Sequence, residues 1–78
     1  SPLIDLIART LARGIRARVF RPGVDPVELY ISVAGMSYFF FSNRLTLSSI
    51  FGRDLGVDAA VDDYRRHVVG FAMAGLQA

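Results

Sequence analysis

Apolar residues recur along this chain at helical spacing, and each run carries its own start and stop signals. Leu3, Ile7, Leu11, Ile15 and Val19 form one stripe, which Ile4 and Ala8 widen. Asp5, Arg9, Arg13 and Arg16 take the other side. Ser1-Pro2 supplies an N-cap and a first helical residue. An acid near the positive end and arginines near the negative end suit the helix dipole. The arginine row is therefore expected to be a solvated face rather than a polyanion-binding one. Arg21-Pro22-Gly23 breaks the helix. So short a connection predicts a second helix running back antiparallel to the first.

The second helix, Pro26 to Asn43, carries the strongest signals. Asp25 can accept from an orphan backbone N–H of the first turn. Pro26 sits where its missing N–H costs nothing. Glu28 falls at the third position, as in a capping box, and Val24 and Leu29 are placed as a hydrophobic staple. Asn43 can take the left-handed conformation that closes a helix. Leu29, Val33, Met36 and Phe40 share one side, with Tyr30, Ser37 and Phe41 beside them. Glu28, Ser32, Gly35, Phe39 and Ser42 occupy the opposite side. No charge falls between Glu28 and Arg44, so the helix is apolar nearly all round and needs cover on more than one face. A membrane does not supply it. Leu29 to Asn43 would be roughly 22 Å long, short of the roughly 30 Å of a bilayer core.

Thr46 is placed to cap a short further helix, with Leu45 and Ile50 as its staple and Gly52 as its stop. Leu47, Ile50 and Phe51 would be its buried residues. Arg53, Asp54 and Gly56 form the next loop. Asp58 then caps a last helix, Ala59 to about Leu76, with Asp62 and Arg66 as an i,i+4 pair. Its apolar residues, Val61, Tyr64, Val68, Val69, Phe71, Ala72 and Leu76, cover close to half the circumference, which predicts two neighbours rather than one. Gly70, Ala72, Ala74 and Gly75 are small enough for another backbone to approach. Arg65 lies within the apolar arc and needs a carboxylate, for which Glu28 is the candidate. The expected fold is all-α, one domain over residues 1–78, with three long helices and a short one.

Composition sharpens this picture. Of the 78 residues 53% are hydrophobic, with a mean hydropathy of +0.39. A chain this short buries only about 60% of its unfolded surface. That is too little to hide so much apolar area, and it points to a partner or to a further domain. The first residue is Ser1 rather than Met, as expected of a processed product or an excised piece. Cysteine is absent, excluding a disulfide framework and thiolate metal sites. Net charge is +2, all nine basic residues are arginines, and they form no single run that would read as a nucleic-acid footprint.

Catalytic chemistry finds no foothold. His67 is the one histidine, and Asp63 one turn away would give it a dyad without a nucleophile. No phosphate-cradling glycine motif is present, and no two carboxylates share an apolar setting. No metal or cofactor is expected. The aromatic group Tyr30, Tyr38, Phe39, Phe40, Phe41 and Phe51 reads mainly as core, and in part as the wall of an apolar ligand pocket.

From Asp25 to Leu55 the chain resembles the C-terminal region of TetR/AcrR-type bacterial transcriptional regulators. Ser-Asn-Arg at 42–44, Thr46-Leu47 and Ile50-Phe51-Gly52-Arg53-Asp54-Leu55 carry most of the likeness. The turn before and the Asp62 to Val69 helix after it are similar too. The resemblance implies an all-helical homodimer in the cytoplasm, with DNA bound by an N-terminal helix-turn-helix whose helices are not among these residues. It also implies a C-terminal domain that binds a small apolar effector and dimerises through a four-helix bundle of its last two long helices. On that reading Ser32, Gly35 and Phe39 would meet the partner together with Val61, Arg65, Val68, Ala72 and Leu76. Tyr30, Val33, Ser37, Phe40 and Phe41 would line the pocket. The competing reading is a standalone helical dimerisation or protein-interaction module without a ligand. A helix-turn-helix encoded upstream would favour the first. Membrane-surface binding through the second helix is a third, and liposome co-sedimentation would separate it.

Overall fold

The computed structural model describes residues 1–78. It contains three helices, α1 (Pro2–Arg16), α2 (Pro26–Phe51) and α3 (Asp58–Leu76), and no strand. α2 packs against both of the others. The Ser1 hydroxyl accepts from the Ile4 N–H at the start of α1. The Asp25 carboxylate accepts from the Val27 N–H at 2.8 Å, so the cap and the proline behind it start α2 as expected.

The expected short fourth helix is joined to the second across a kink rather than separated from it by a loop. Two helical stretches of α2 meet at Asn43, whose non-helical φ of −118° and ψ of 15° kink the axis at the residue where the sequence predicted a break. The Asn43 amide donates to the Phe39 carbonyl one turn back, a side-chain bond that bends a helix rather than closing it. Thr46 therefore lies inside α2, and Leu45 and Ile50, expected as a staple, are exposed. Phe51 is exposed as well. Gly52 does stop the helix, with a φ of +62° that suits a residue lacking Cβ. At α3 the cap residue is Val57, not Asp58, which is the first helical residue, and no side chain caps that end. The charges on α3 pair at i,i+3: Asp62 with Arg65 and Asp63 with Arg66, not Asp62 with Arg66. Arg65 thus finds its carboxylate within its own helix and not on Glu28.

α1 ends three residues earlier than its apolar stripe. Arg18 takes a positive φ of 62°, and Val19, which the stripe included, lies beyond the helix and is exposed. The segment then forms a clasp around the end of α3. Phe20 and Gln77 make an isolated antiparallel bridge. The Arg21 N–H donates to the Leu76 carbonyl at 2.8 Å, and the Ala78 N–H to that of Val19 at 3.2 Å. The Arg21 Nε–H donates to the Gly75 carbonyl at 2.8 Å. These bonds satisfy two of the four carbonyls that a helix C-terminus leaves without partners, and they put a cation at the negative end of α3.

Gly14 is what admits the clasp. It is buried in α1, and a Cβ built on it would lie 1.9 Å from Cδ2 of the Phe20 ring. Gly14→Ala should therefore destabilise the chain, because displacing the ring costs about 1–3 kcal/mol against about 1 kcal/mol gained in helix propensity. In a Phe20→Ala background the same substitution should instead stabilise by about 1 kcal/mol. Urea unfolding of the four-member cycle checks the change of sign.

The chain is elongated, with extents of 44 × 25 × 18 Å and a radius of gyration of 15.0 Å. A compact domain of this length would have a radius near 11–12 Å. Five residues are buried: Leu11, Gly14, Phe40, Val68 and Leu76. The accessible surface is 5772 Å², about 1,000 Å² more than the roughly 4,700 Å² of a compact monomer of this mass.

Candidate functional site

The centre of the molecule is a contact between α2 and α3. Phe40 and Tyr64 stack with ring centroids 4.1 Å apart and planes 5° from parallel. Phe41 meets the edge of Phe40 at 5.5 Å. The Tyr64 hydroxyl donates to the Met36 carbonyl at 3.0 Å. A backbone carbonyl inside a helix already accepts from its own helix and has a second lone pair to offer, so this bond ties α3 to α2 without breaking either.

That contact separates two clefts. The first lies where α2 begins and α3 ends. It has a volume of about 270 Å³ and is walled by Leu29, Val33 and Met36 of α2 and by Phe71, Ala72 and Leu76 of α3, with Arg21, Asp25, Glu28 and Ser32 as its polar lining. The second, of about 750 Å³, lies where α2 ends and α3 begins. Phe40, Leu47 and Phe51 line it from α2, and Ala60, Tyr64 and His67 from α3. Arg53, Asp54, Leu55 and Val57 of the connecting loop close its end. The start of each helix facing the end of the other makes α2 and α3 antiparallel.

The loop is held rather than loose. The Ser48 hydroxyl donates to the Arg44 carbonyl at 2.7 Å and accepts from the Leu55 N–H at 2.9 Å. Asp54 accepts from the Gly56 N–H at 3.1 Å. The Arg53 N–H donates back to the Ser48 carbonyl at 3.2 Å. His67 does not pair with Asp63: its ring tilts between Tyr64, 5.6 Å away, and Phe71, 5.8 Å away, while Asp63 is engaged by Arg66.

The expected pocket residues do not converge on one cavity. Val33 lines the first cleft and Phe40 the second. Phe41 borders a shallow third depression with Arg44, whose guanidinium lies 5.3 Å from the Phe41 ring centre. Tyr30 and Ser37 line none of the three. Of the residues expected at a partner, Gly35 and Phe39 are exposed on α2 outside the three depressions, Ser32 is exposed but lines the first cleft, and Arg65 is exposed on α3. Val61 and Ala72 are half-buried, while Val68 and Leu76 are buried in the chain's own core at 6% and 7% exposure. The sequence reading passed over Arg21, taken as part of a turn, and Arg53, taken as loop. The bonds that make them part of the site reach far along the chain or depend on where α2 stops.

The long antiparallel pair of this all-helical chain leaves large apolar side chains exposed on both helices. A family model described as the tetracyclin repressor-like C-terminal domain matches residues 1–71, and the chain belongs to that family, one of regulators rather than enzymes. It is 28% identical over 74 residues to the HTH-type transcriptional repressor NicS of Pseudomonas putida. That match takes in 95% of this chain and 35% of the relative, so the chain spans about a third of that protein's length. No solved structure matches. No helix is long and apolar enough to cross a membrane.

Proposed function

We propose that this chain is the dimerisation and effector-binding part of a cytoplasmic TetR-type transcriptional repressor, acting as a homodimer whose DNA contacts are made elsewhere in the regulator. The observation that carries the reading is the surplus of roughly 1,000 Å² of surface over a compact monomer, together with where it lies. Ile31, Tyr38 and Phe39 on the outer side of α2 are 62%, 75% and 58% exposed, and Val69 and Met73 continue the apolar edge on α3. A stable interface takes about 800 Å² from each partner, so the surplus matches one half of one.

Gly35 and Phe39 remain the α2 residues proposed to meet the partner, while Ser32 goes with the first cleft that it lines. On α3 the role passes to Arg65, Val69 and Met73, because Val68 and Leu76 are spent on the chain's own core. A pair of antiparallel helices from each subunit then gives a four-helix bundle. The effector belongs in the clefts between α2 and α3, with Val33 walling one and Phe40 the other. Light scattering across a dilution series tests the dimer. A mass near twice 8.6 kDa is expected; a folded monomer at every concentration would overturn it.

A further inference from the structure

We infer that the second cleft binds an anionic amphiphile, a ligand with a flat apolar body and one acidic group, and that Arg53 holds the acid. The inference rests on the effector-binding reading and names the class of effector. It begins with the charge balance around the cleft. Asp63 is neutralised by Arg66. The Asp54 carboxylate accepts from the Gly56 N–H within its own loop and makes no ion pair. Arg53 has neither an ion pair nor a side-chain hydrogen bond. It is the one arginine that lines the cleft, and no carboxylate pairs with it.

Its surroundings are apolar and aromatic. Leu47, Phe51, Leu55 and Val57 flank it across a volume of about 750 Å³, within the range of small-molecule sites. Its backbone is fixed before any ligand arrives, by the Ser48 bonds and by the left-handed Gly52. A planar guanidinium on a fixed backbone, lining an apolar trough, suits a carboxylate or sulfonate, which it can grip through two parallel N–H donors. Exposed Phe51 and the His67 ring offer flat surfaces to the body of the ligand. The first cleft is the more acidic, with Asp25 and Glu28 both unpaired beside Arg21, whose Nε–H donates to the Gly75 carbonyl, so an anion gains less there.

The test is a fluorescence titration of the chain with two probes of nearly the same body: anilinonaphthalene sulfonate, which carries the acid, and N-phenyl-1-naphthylamine, which does not. Arg53→Gln should weaken the sulfonate at least tenfold and change the neutral probe less than twofold. Phe51→Ala should weaken both. Ile31→Ser, on the outer face of α2, should leave both unchanged. Circular dichroism confirms that each variant keeps its helices. If the neutral probe needs Phe51 but the sulfonate gains nothing from Arg53, the cleft is an effector site of another class and the anionic assignment falls. If Ile31→Ser removes the sulfonate as strongly as Arg53→Gln does, the probe sits on the open α2 face and the cleft assignment falls with it. Neither result touches the dimer, which light scattering reads independently.

Discussion

Phe40→Ala should be the most damaging single truncation in this chain, costing about 3–5 kcal/mol. Phe40 is 4% exposed, the lowest value of any side chain here, in a core of four apolar residues. Its ring is held on two sides, stacked on Tyr64 and met edge-on by Phe41. Ring pairs add about 0.5–1.5 kcal/mol beyond the area they bury. Natural domains hold about 0.05–0.15 kcal/mol per residue, or roughly 4–12 kcal/mol for this one. The loss would thus take a large share of the total. The two clefts should also merge, because the stack stands between them. Urea unfolding, read by the loss of helical dichroism, checks the magnitude. A cost below about 1.5 kcal/mol would mean that Tyr64 and Phe41 collapse into the gap.

Phe40 also marks how far the sequence could be read. Its place on the inner side of α2, with Leu29, Val33 and Met36, follows from helical spacing alone, and all four are buried or half-buried. The start of α2 was equally legible, because a cap followed by proline is a local signal. The signal at Asn43 was half right: the helix breaks its geometry there, but as a kink and not as a stop. Asparagine can end a helix, but whether it does depends on what the next turns can bury. Here the continuation carries Leu47 to the second cleft and Ser48 to its bond with Leu55. The clasp was not legible at all. Arg21 and Gly75 are 54 positions apart, and nothing in their neighbourhoods announces the meeting. Gly14 looked like a weak point in a helix, and its reason lies six residues away in the ring of Phe20.

A helix that is apolar all round does not say which face goes to its own chain and which to a partner. Val68 and Leu76 were assigned outward because α3 is apolar over half its girth, but that arc divides. Val68 and Leu76 turn inward, while Val69 and Met73 stay out. Only the packing of α2 against α3 makes the division.

That division also makes the partner face testable at one residue. Gly35→Leu should weaken self-association at least about 100-fold, or about 2.8 kcal/mol at 1.4 kcal/mol per tenfold, while leaving the single chain as stable or more so. A Cβ on Gly35 meets nothing within 4 Å in this chain, so the fold has room for the side chain. A glycine inside a helix costs about 0.5–1 kcal/mol relative to alanine, so replacing it should help α2. The penalty arises only where a second helix lies close over Gly35, as the four-helix arrangement requires, because a leucine there must push the two backbones apart. Folding and association thus move in opposite directions, which a general destabilisation cannot imitate. Light scattering across a dilution series gives the association, and thermal unfolding of the dilute protein gives the fold. If the variant dimerises like the original, the partner does not lie over Gly35. The apolar outer face of α2 would then be covered by another part of the same regulator.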